Sequence, residues 1–371
     1  MPSPDPVHET DPMGAAARHP IPRTALACAE ALARLAEFDA IIDVRSPSEF
    51  AHDHLPGAIN CPVLDDDERA GVGTLHKLDS AFAARRSGAA LVARNIARHL
   101  EQQFADMPRQ WRPLVYCWRG GQRSGAMVHV LTAIGWPARQ LEGGYRAFRR
   151  HVVGELEHLP QRFRMRVVYG PTGSGKSRLL RQLARCGAQV LDLEELAQHR
   201  GSVLGALPQA PQPSQKRFET LLWWALRALD PQRPVYVESE SRKVGQLRLP
   251  DALIEHMRAA ECLQLLLPAE ARVRLLRDEY AHFEADAALL MRQLDCLRAL
   301  HGHERVTAWK QLAAEHRWDE MVRRLLEEHY DPAYARSITR NFPRAGRAVE
   351  VAVDSESEED FARAAAALAA G

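Results

Sequence analysis

Two hydrophobic rhythms run along this chain. Short, mainly apolar runs occur as AIIDV at 40–44, PLVYC at 113–117, RMRVVY at 164–169, PVYVE at 234–238, CLQLLL at 262–267 and VEVAV at 349–353. Runs of this length bounded by polar or glycine-rich segments predict strands buried on both faces of a parallel sheet. Between them, apolar residues recur at helical spacing over 24–38, from about 78 to 109, from Ser124 to Gly135, and through most of 251–330. LDDDERAGVGTLHK, at 64–77, is polar and broken by glycine, and reads as a loop. Strands alternating with helices imply an α/β chain whose sites sit where loops leave the carboxyl ends of the strands. Asp43 and Arg45, at the end of the first run, are expected at such a rim.

The pattern divides into a proline-rich N-terminal arm (1–22), a first α/β domain (23–150), a connector (151–162) and a second α/β domain with a helical C-terminal region (163–371). At 371 residues, each domain can bury its own core. The formal net charge is +1, so overall charge offers no argument for a nucleic-acid partner, and DNA in particular is not implied. The six cysteines are scattered with no CxxC pair, which fits a reducing compartment rather than a zinc site or a disulfide framework. No run of 18 apolar residues is present, so a cytoplasmic protein with no membrane partner is expected.

Two loops carry candidate chemistry. In YCWRGGQRS, Cys117 ends a strand, Gly120 and Gly121 let the backbone curl, and a helix begins near Ser124. Converging amide N–H groups, the positive end of that helix, and Arg119 and Arg123 would together favour a thiolate at Cys117. The arginines would also suit an anionic donor of sulfur or selenium. A strand-end cysteine by itself is a small hydrophobe; the paired glycines and paired arginines change the reading. Ser46 is placed to cap the turn that contains Glu49.

GPTGSGKS, residues 170–177, matches GxxxxGK[ST] in full between a strand and a helix. Gly170, Gly173, Ser174 and Gly175 would wrap a phosphate with backbone amides, Lys176 would add a point charge, and Ser177 would reach a Mg²⁺ ion. Asp192 and Glu194 lie just beyond one strand, and Glu238 and Glu240 beyond another; either strand end could supply the carboxylate near Ser177, with Asp192 and Glu238 as the candidates for binding and Asp192 with Ser177 as the candidate metal pair. A phosphate loop does not by itself imply ATP hydrolysis.

DVRSPSEF, HLPGAIN, CWRGGQRS and EGGYRAF, in this order, resemble a rhodanese domain, whose loop cysteine carries a persulfide or a related species. With HRGSVLG, SQKRFET and ESESRKVG behind the phosphate loop, the chain from about 36 to 340 resembles the tRNA 2-selenouridine synthase family. The resemblance implies replacement of the sulfur of wobble 2-thiouridine in tRNA by selenium from selenophosphate, with a selenophosphate-supplying enzyme as a further partner. It also implies an S-geranyl intermediate made from geranyl diphosphate, whose diphosphate the P-loop would hold. Cys117, Arg119, Arg123 and Lys176 are then the expected catalytic set.

Phe218, Leu221, Leu222, Trp223 and Leu226 have helical spacing and are expected in the core, with a prenyl-chain groove as the alternative. Between Arg139 and Arg166 seven arginines face three glutamates, among them Arg146, Arg149, Arg150, Arg162, Arg164 and Arg166, a stretch suited to RNA phosphates. Trp118 either stacks on a base or packs the loop. Two other functions stay open on the residues alone: a small-molecule sulfurtransferase fused to an ATP-dependent kinase-like domain, and a non-catalytic, nucleotide-regulated tRNA-binding protein.

Overall fold

The computed structural model describes residues 24–206 and 211–370; the arm expected at 1–22 lies outside the described residues. The first sheet is parallel throughout and comprises β1 (Ala25–Leu26), β2 (Ala40–Asp43), β3 (Ala58–Asn60), β4 (Pro113–Tyr116) and β5 (Arg139–Leu141), in the order β1-β5-β4-β2-β3. The second sheet draws on β6 (Met165–Tyr169), β7 (Gln189–Leu191) and β8 (Val235–Glu238), after which β9 (Lys243–Val244) and β10 (Leu247–Arg248) form a separate antiparallel hairpin. It is completed by β11 (Glu261–Leu266) and β12 (Val349–Ala352), giving the parallel order β12-β11-β6-β8-β7. The middle strands, β4 and β6, are the ones that end at Cys117 and Gly170. Both loops therefore leave the carboxyl edge of a sheet at its centre, where neighbouring strands hold them on both sides. Among the described residues no helix is long and apolar enough to cross a membrane.

Several local expectations are corrected. The segment 24–38 opens as the edge strand β1 before a short helix, Cys28–Ala33, because Ala25 and Leu26 pair with β5. The stretch 64–77 is mostly helix, Asp66–Leu78: Asp65 accepts from the Glu68 amide at 2.7 Å and Glu68 reciprocates to the Asp65 amide at 3.1 Å, a capping box that starts a helix despite Gly71 and Gly73. Asp43 and Arg45 are not rim charges. Both are buried, joined at 2.6 Å, and the Arg45 guanidinium lies 4.1 Å from the Tyr145 ring centre. Ser46 and Glu49 do form the expected capping box.

The stretch 151–162 does not run free between two bodies. It continues the helix Gly144–Leu156 into a single 3₁₀ turn, burying Val152, Leu156 and Leu159. Phe218, Leu222, Trp223 and Leu226, on the helix Gln215–Arg227, lie in the same buried cluster as Phe148 and Val152, with the Phe148 and Trp223 rings 5.5 Å apart edge-on. They are core against the first sheet's helices, so the prenyl groove is not there. Polar bonds tie the same face: Asp53 Oδ2 accepts from Tyr145 at 2.8 Å and from Thr220 at 3.0 Å, and Arg217 donates to the His54 carbonyl at 3.1 Å.

Candidate functional site

The loop after β4 is built by interlocking glycines. Gly120 has φ +63°, and a Cβ there would meet the Leu141 carbonyl at 2.5 Å; a Cβ on Gly144 would meet the Cys117 carbonyl at 2.2 Å. The EGGYRAF turn thus lies directly beneath the cysteine loop, and Tyr145 N–H donates to the Cys117 carbonyl at 2.8 Å. Cys117 Sγ accepts from the Gly121 amide at 3.3 Å and from the Ser124 hydroxyl at 3.1 Å, beside the first turn of the helix Gln122–Ile134. Gln140 steadies Ser124 through a 2.8 Å bond. Sequence reasoning singled out neither Ser124 nor Gln140 as a partner of the sulfur; the available signal was that a helix begins near Ser124, seven residues after the cysteine.

The arginines divide. Arg123 is tied to Glu49 at 3.0 Å, whereas Arg119 is exposed and makes no ion pair among the described residues. Cys117 is 3% exposed, and on its inner side it joins the apolar cluster of Ile42, Val44, Met127 and Val128. The thiol lies at the floor of a loop whose exposed members are Arg119, Gly121 and Gln122. Trp118 packs on Tyr145, with ring centres 5.2 Å apart. Of the arginine stretch, Arg149 is ion-paired to Glu219 and Arg166 donates to the Tyr236 hydroxyl at 3.0 Å, while Arg146, Arg150, Arg162 and Arg164 are exposed.

The loop after β6 lines a cavity of about 850 Å³ with Gly173, Gly175, Lys176 and Ser177. Gly173 and Gly175 have φ +77° and +84°, which a side chain would strain, and Lys176 Nζ donates to the Gly170 carbonyl at 3.0 Å. Ser174 is fully buried, and its hydroxyl has no partner among the described residues.

The carboxylates are placed differently from the expectation. Asp192 lines the cavity, but its side chain caps the next helix by accepting from the Glu195 amide at 2.8 Å. Glu238 does not line the cavity: it is 1% exposed and accepts from the Leu193 and Glu194 amides at 2.6 and 2.9 Å. Glu194 is the carboxylate at Ser177, with Oε2 2.9 Å from the hydroxyl, and Glu240 lines the same cavity. The helix Leu193–Ala197 starts between Asp192 and Glu194 and turns the second inward, which a strand-end pattern does not reveal.

Tyr334 was not anticipated. It accepts from the Gly170 amide at 2.7 Å and its ring centre lies 5.7 Å from Lys176 Nζ, 164 residues from Gly170 along the chain.

Burial pushes Asp192, Glu194 and Glu238 upward, with neighbouring carboxylates adding to the effect. Glu240 is pushed up to about 8, by burial first and then by Glu194, against the pull of Lys176. The folded protein therefore keeps a proton on Glu240 that the unfolded chain releases near its ordinary value, and stability falls as pH rises across that interval to about 8. Glu240→Gln is expected to raise stability at pH 8.5 by about 1–2 kcal/mol and to change little near pH 4. Urea unfolding at the two pH values checks this; an equal effect at both would remove the electrostatic cause.

Two family models match: a rhodanese-like domain over residues 27–151 and a tRNA 2-selenouridine synthase AAA domain over residues 163–306. A tRNA 2-selenouridine synthase of Shewanella loihica is 32% identical over 339 residues, covering 84% of this chain and 90% of the relative. That of Hydrogenovibrio crunogenus is 34% identical, covering 79% and 88%. That of Nitrosomonas europaea is 38% identical over 244 residues, covering 65% of this chain; over that match the chain spans 63% of the relative's length.

Proposed function

The chain belongs to the tRNA 2-selenouridine synthase family, and from that premise we propose that it replaces the sulfur of wobble 2-thiouridine in tRNA with selenium from selenophosphate by way of an S-geranyl intermediate. The observation that carries this reading is the presence in one body of two unlike loops at central strand ends. One holds a sulfur under an amide and a hydroxyl; the other shapes an amide nest around Lys176.

In the first step the thiouridine sulfur attacks C1 of geranyl diphosphate, the C–O bond breaks, and diphosphate departs. Lys176 and the amides of Gly173, Gly175, Lys176 and Ser177 hold the charge gathering on the leaving group, whereas the amides expected there from Gly170 and Ser174 are taken by the Tyr334 hydroxyl and the Pro171 carbonyl. A Mg²⁺ ion fits Ser177 and Glu194, a hydroxyl and a carboxylate, with the remaining ligands from diphosphate oxygens and water. Bound there, it would neutralise diphosphate charge.

In the second step the selenium of selenophosphate attacks C2 of the geranylated base, the C2–S bond breaks and geranylthiol departs, and water cleaves the Se–P bond to release phosphate and leave selenium on the base. Cys117 handles the selenium under the Gly121 amide and the Ser124 hydroxyl, and Arg119 meets the anionic donor from the loop surface. Arg123, pulled toward Glu49, orients the loop. Exposed Arg146, Arg150 and Arg162 suit the phosphates of tRNA, and the six unpaired thiols suit a reducing cytoplasm.

The test is reconstitution of the purified chain with 2-thiouridine tRNA, geranyl diphosphate and selenophosphate, omitting each in turn and identifying the nucleoside by mass spectrometry. Selenouridine is expected only in the complete mixture, and geranylated thiouridine when selenophosphate is left out. Selenouridine formed without geranyl diphosphate would overturn the geranyl route; turnover that needs no tRNA would overturn the substrate.

A further inference from the structure

The phosphate-loop cavity does not end at its polar wall. Thr172, Ser202, Leu276, Tyr280 and Tyr330 line it and also line a second pocket behind it. That pocket is walled by Leu204, Phe283, Leu290, Trp318, Met321 and Leu325, which belong to a buried apolar cluster of their own. Among these shared residues, Leu276 also packs on the phosphate loop itself. A Cβ on Gly173 would lie 2.7 Å from Leu276 Cδ1, so the backbone of the phosphate loop rests against the leucine that forms the pocket's mouth.

We propose that this pocket holds the hydrocarbon tail of a prenyl diphosphate whose head group sits in the phosphate loop, and that Phe283 and Met321 set the length of tail admitted. The proposal rests on reading the P-loop cavity as a prenyl diphosphate site and assigns that site's second half. Continuity selects the occupant: a ligand spanning both chambers needs a polyanionic head and an apolar remainder. A nucleotide base would leave its ring nitrogens facing leucine, tryptophan and methionine.

As it stands the pocket encloses about 70 Å³, room for about two waters. A ten-carbon tail therefore enters by moving side chains, and unbranched Met321 is the wall best able to yield. Chain length becomes a property of how far these walls retreat. The allylic C1 is left at the mouth, beside Leu276 and the phosphate loop, where the thiouridine sulfur approaches from the polar chamber.

The experiment compares binding of inorganic diphosphate and of dimethylallyl, geranyl and farnesyl diphosphates to the full chain and to Met321→Trp and Phe283→Ala. In the unaltered chain geranyl diphosphate is expected to bind at least about tenfold more tightly than inorganic diphosphate. Met321→Trp is expected to weaken geranyl binding about tenfold or more while leaving diphosphate and dimethylallyl diphosphate within about twofold. Phe283→Ala is expected to shift preference toward farnesyl by about tenfold.

Retained affinity for inorganic diphosphate shows that a variant is folded at the head-group loop, and the two substitutions make the comparison independently. If geranyl diphosphate binds no better than inorganic diphosphate, or if both variants keep the original chain-length order, the tail lies elsewhere; the pocket assignment fails and the P-loop reading stands. If neither inorganic nor prenyl diphosphate binds, the P-loop reading fails and takes this assignment with it.

Discussion

Cys117→Ser is expected to reduce 2-selenouridine formation at least about a hundredfold while leaving geranylation of the tRNA near its normal rate. Oxygen fits where sulfur sits: Gly121 N–H and Ser124 can still donate to it, so the loop survives. What is lost is a soft, ionisable sulfur beside the selenium donor, whose place a hydroxyl of far lower acidity does not take. Nucleoside mass spectrometry on the two products, from the same reaction, separates loss of chemistry from loss of fold. Geranylated thiouridine should accumulate. Selenouridine made at the ordinary rate would remove Cys117 from the mechanism, and loss of both products would show that the substitution had damaged more than the loop.

Lys176→Ala is expected to produce the complementary failure. The ammonium is the one cation built into the phosphate loop, held toward the cavity by the Gly170 carbonyl and faced by the Tyr334 ring. Removing it should weaken inorganic diphosphate and geranyl diphosphate together by about a hundredfold, since both present the same head group. Geranylated tRNA should fall at least as far. Calorimetric titration of the two ligands checks the binding, and the nucleoside assay checks transfer. Supplying tRNA that is already geranylated should restore selenium incorporation in this variant; failure to do so would place Lys176 in the second step as well. Unchanged diphosphate affinity would dismiss the loop as the head-group site.

The strand framework was legible because its signal is local. PLVYC is apolar without interruption and RMRVVY nearly so after Arg166, and the strands they form are largely covered on both faces. GPTGSGKS was legible for a related reason, since the conformations that wrap a phosphate can be written in glycine alone. The helix at Asp66–Leu78 was hidden because none of its residues is buried, so its hydrophobic period is weak and only its cap marks it.

The site was half legible. A sequence shows that carboxylates follow a strand, but which of Asp192 and Glu194 turns toward Ser177 depends on where a five-residue helix begins. Tyr334 had no signal at all: it reaches Gly170 only because a helix from the far end of the chain, Asp331–Asn341, lies across the phosphate loop.

The carboxylate of Asp53 has a mechanical consequence. Its two hydrogen-bond donors come from opposite halves of the molecule, one from the helix beneath the thiol and one from the second domain, and all three groups are shut away from water. Hinging the halves apart would strip a buried acceptor and expose the ring stack beside it, a penalty of about 1–3 kcal/mol for the acceptor alone. A substrate that has to visit both loops would then either travel between them or meet that cost.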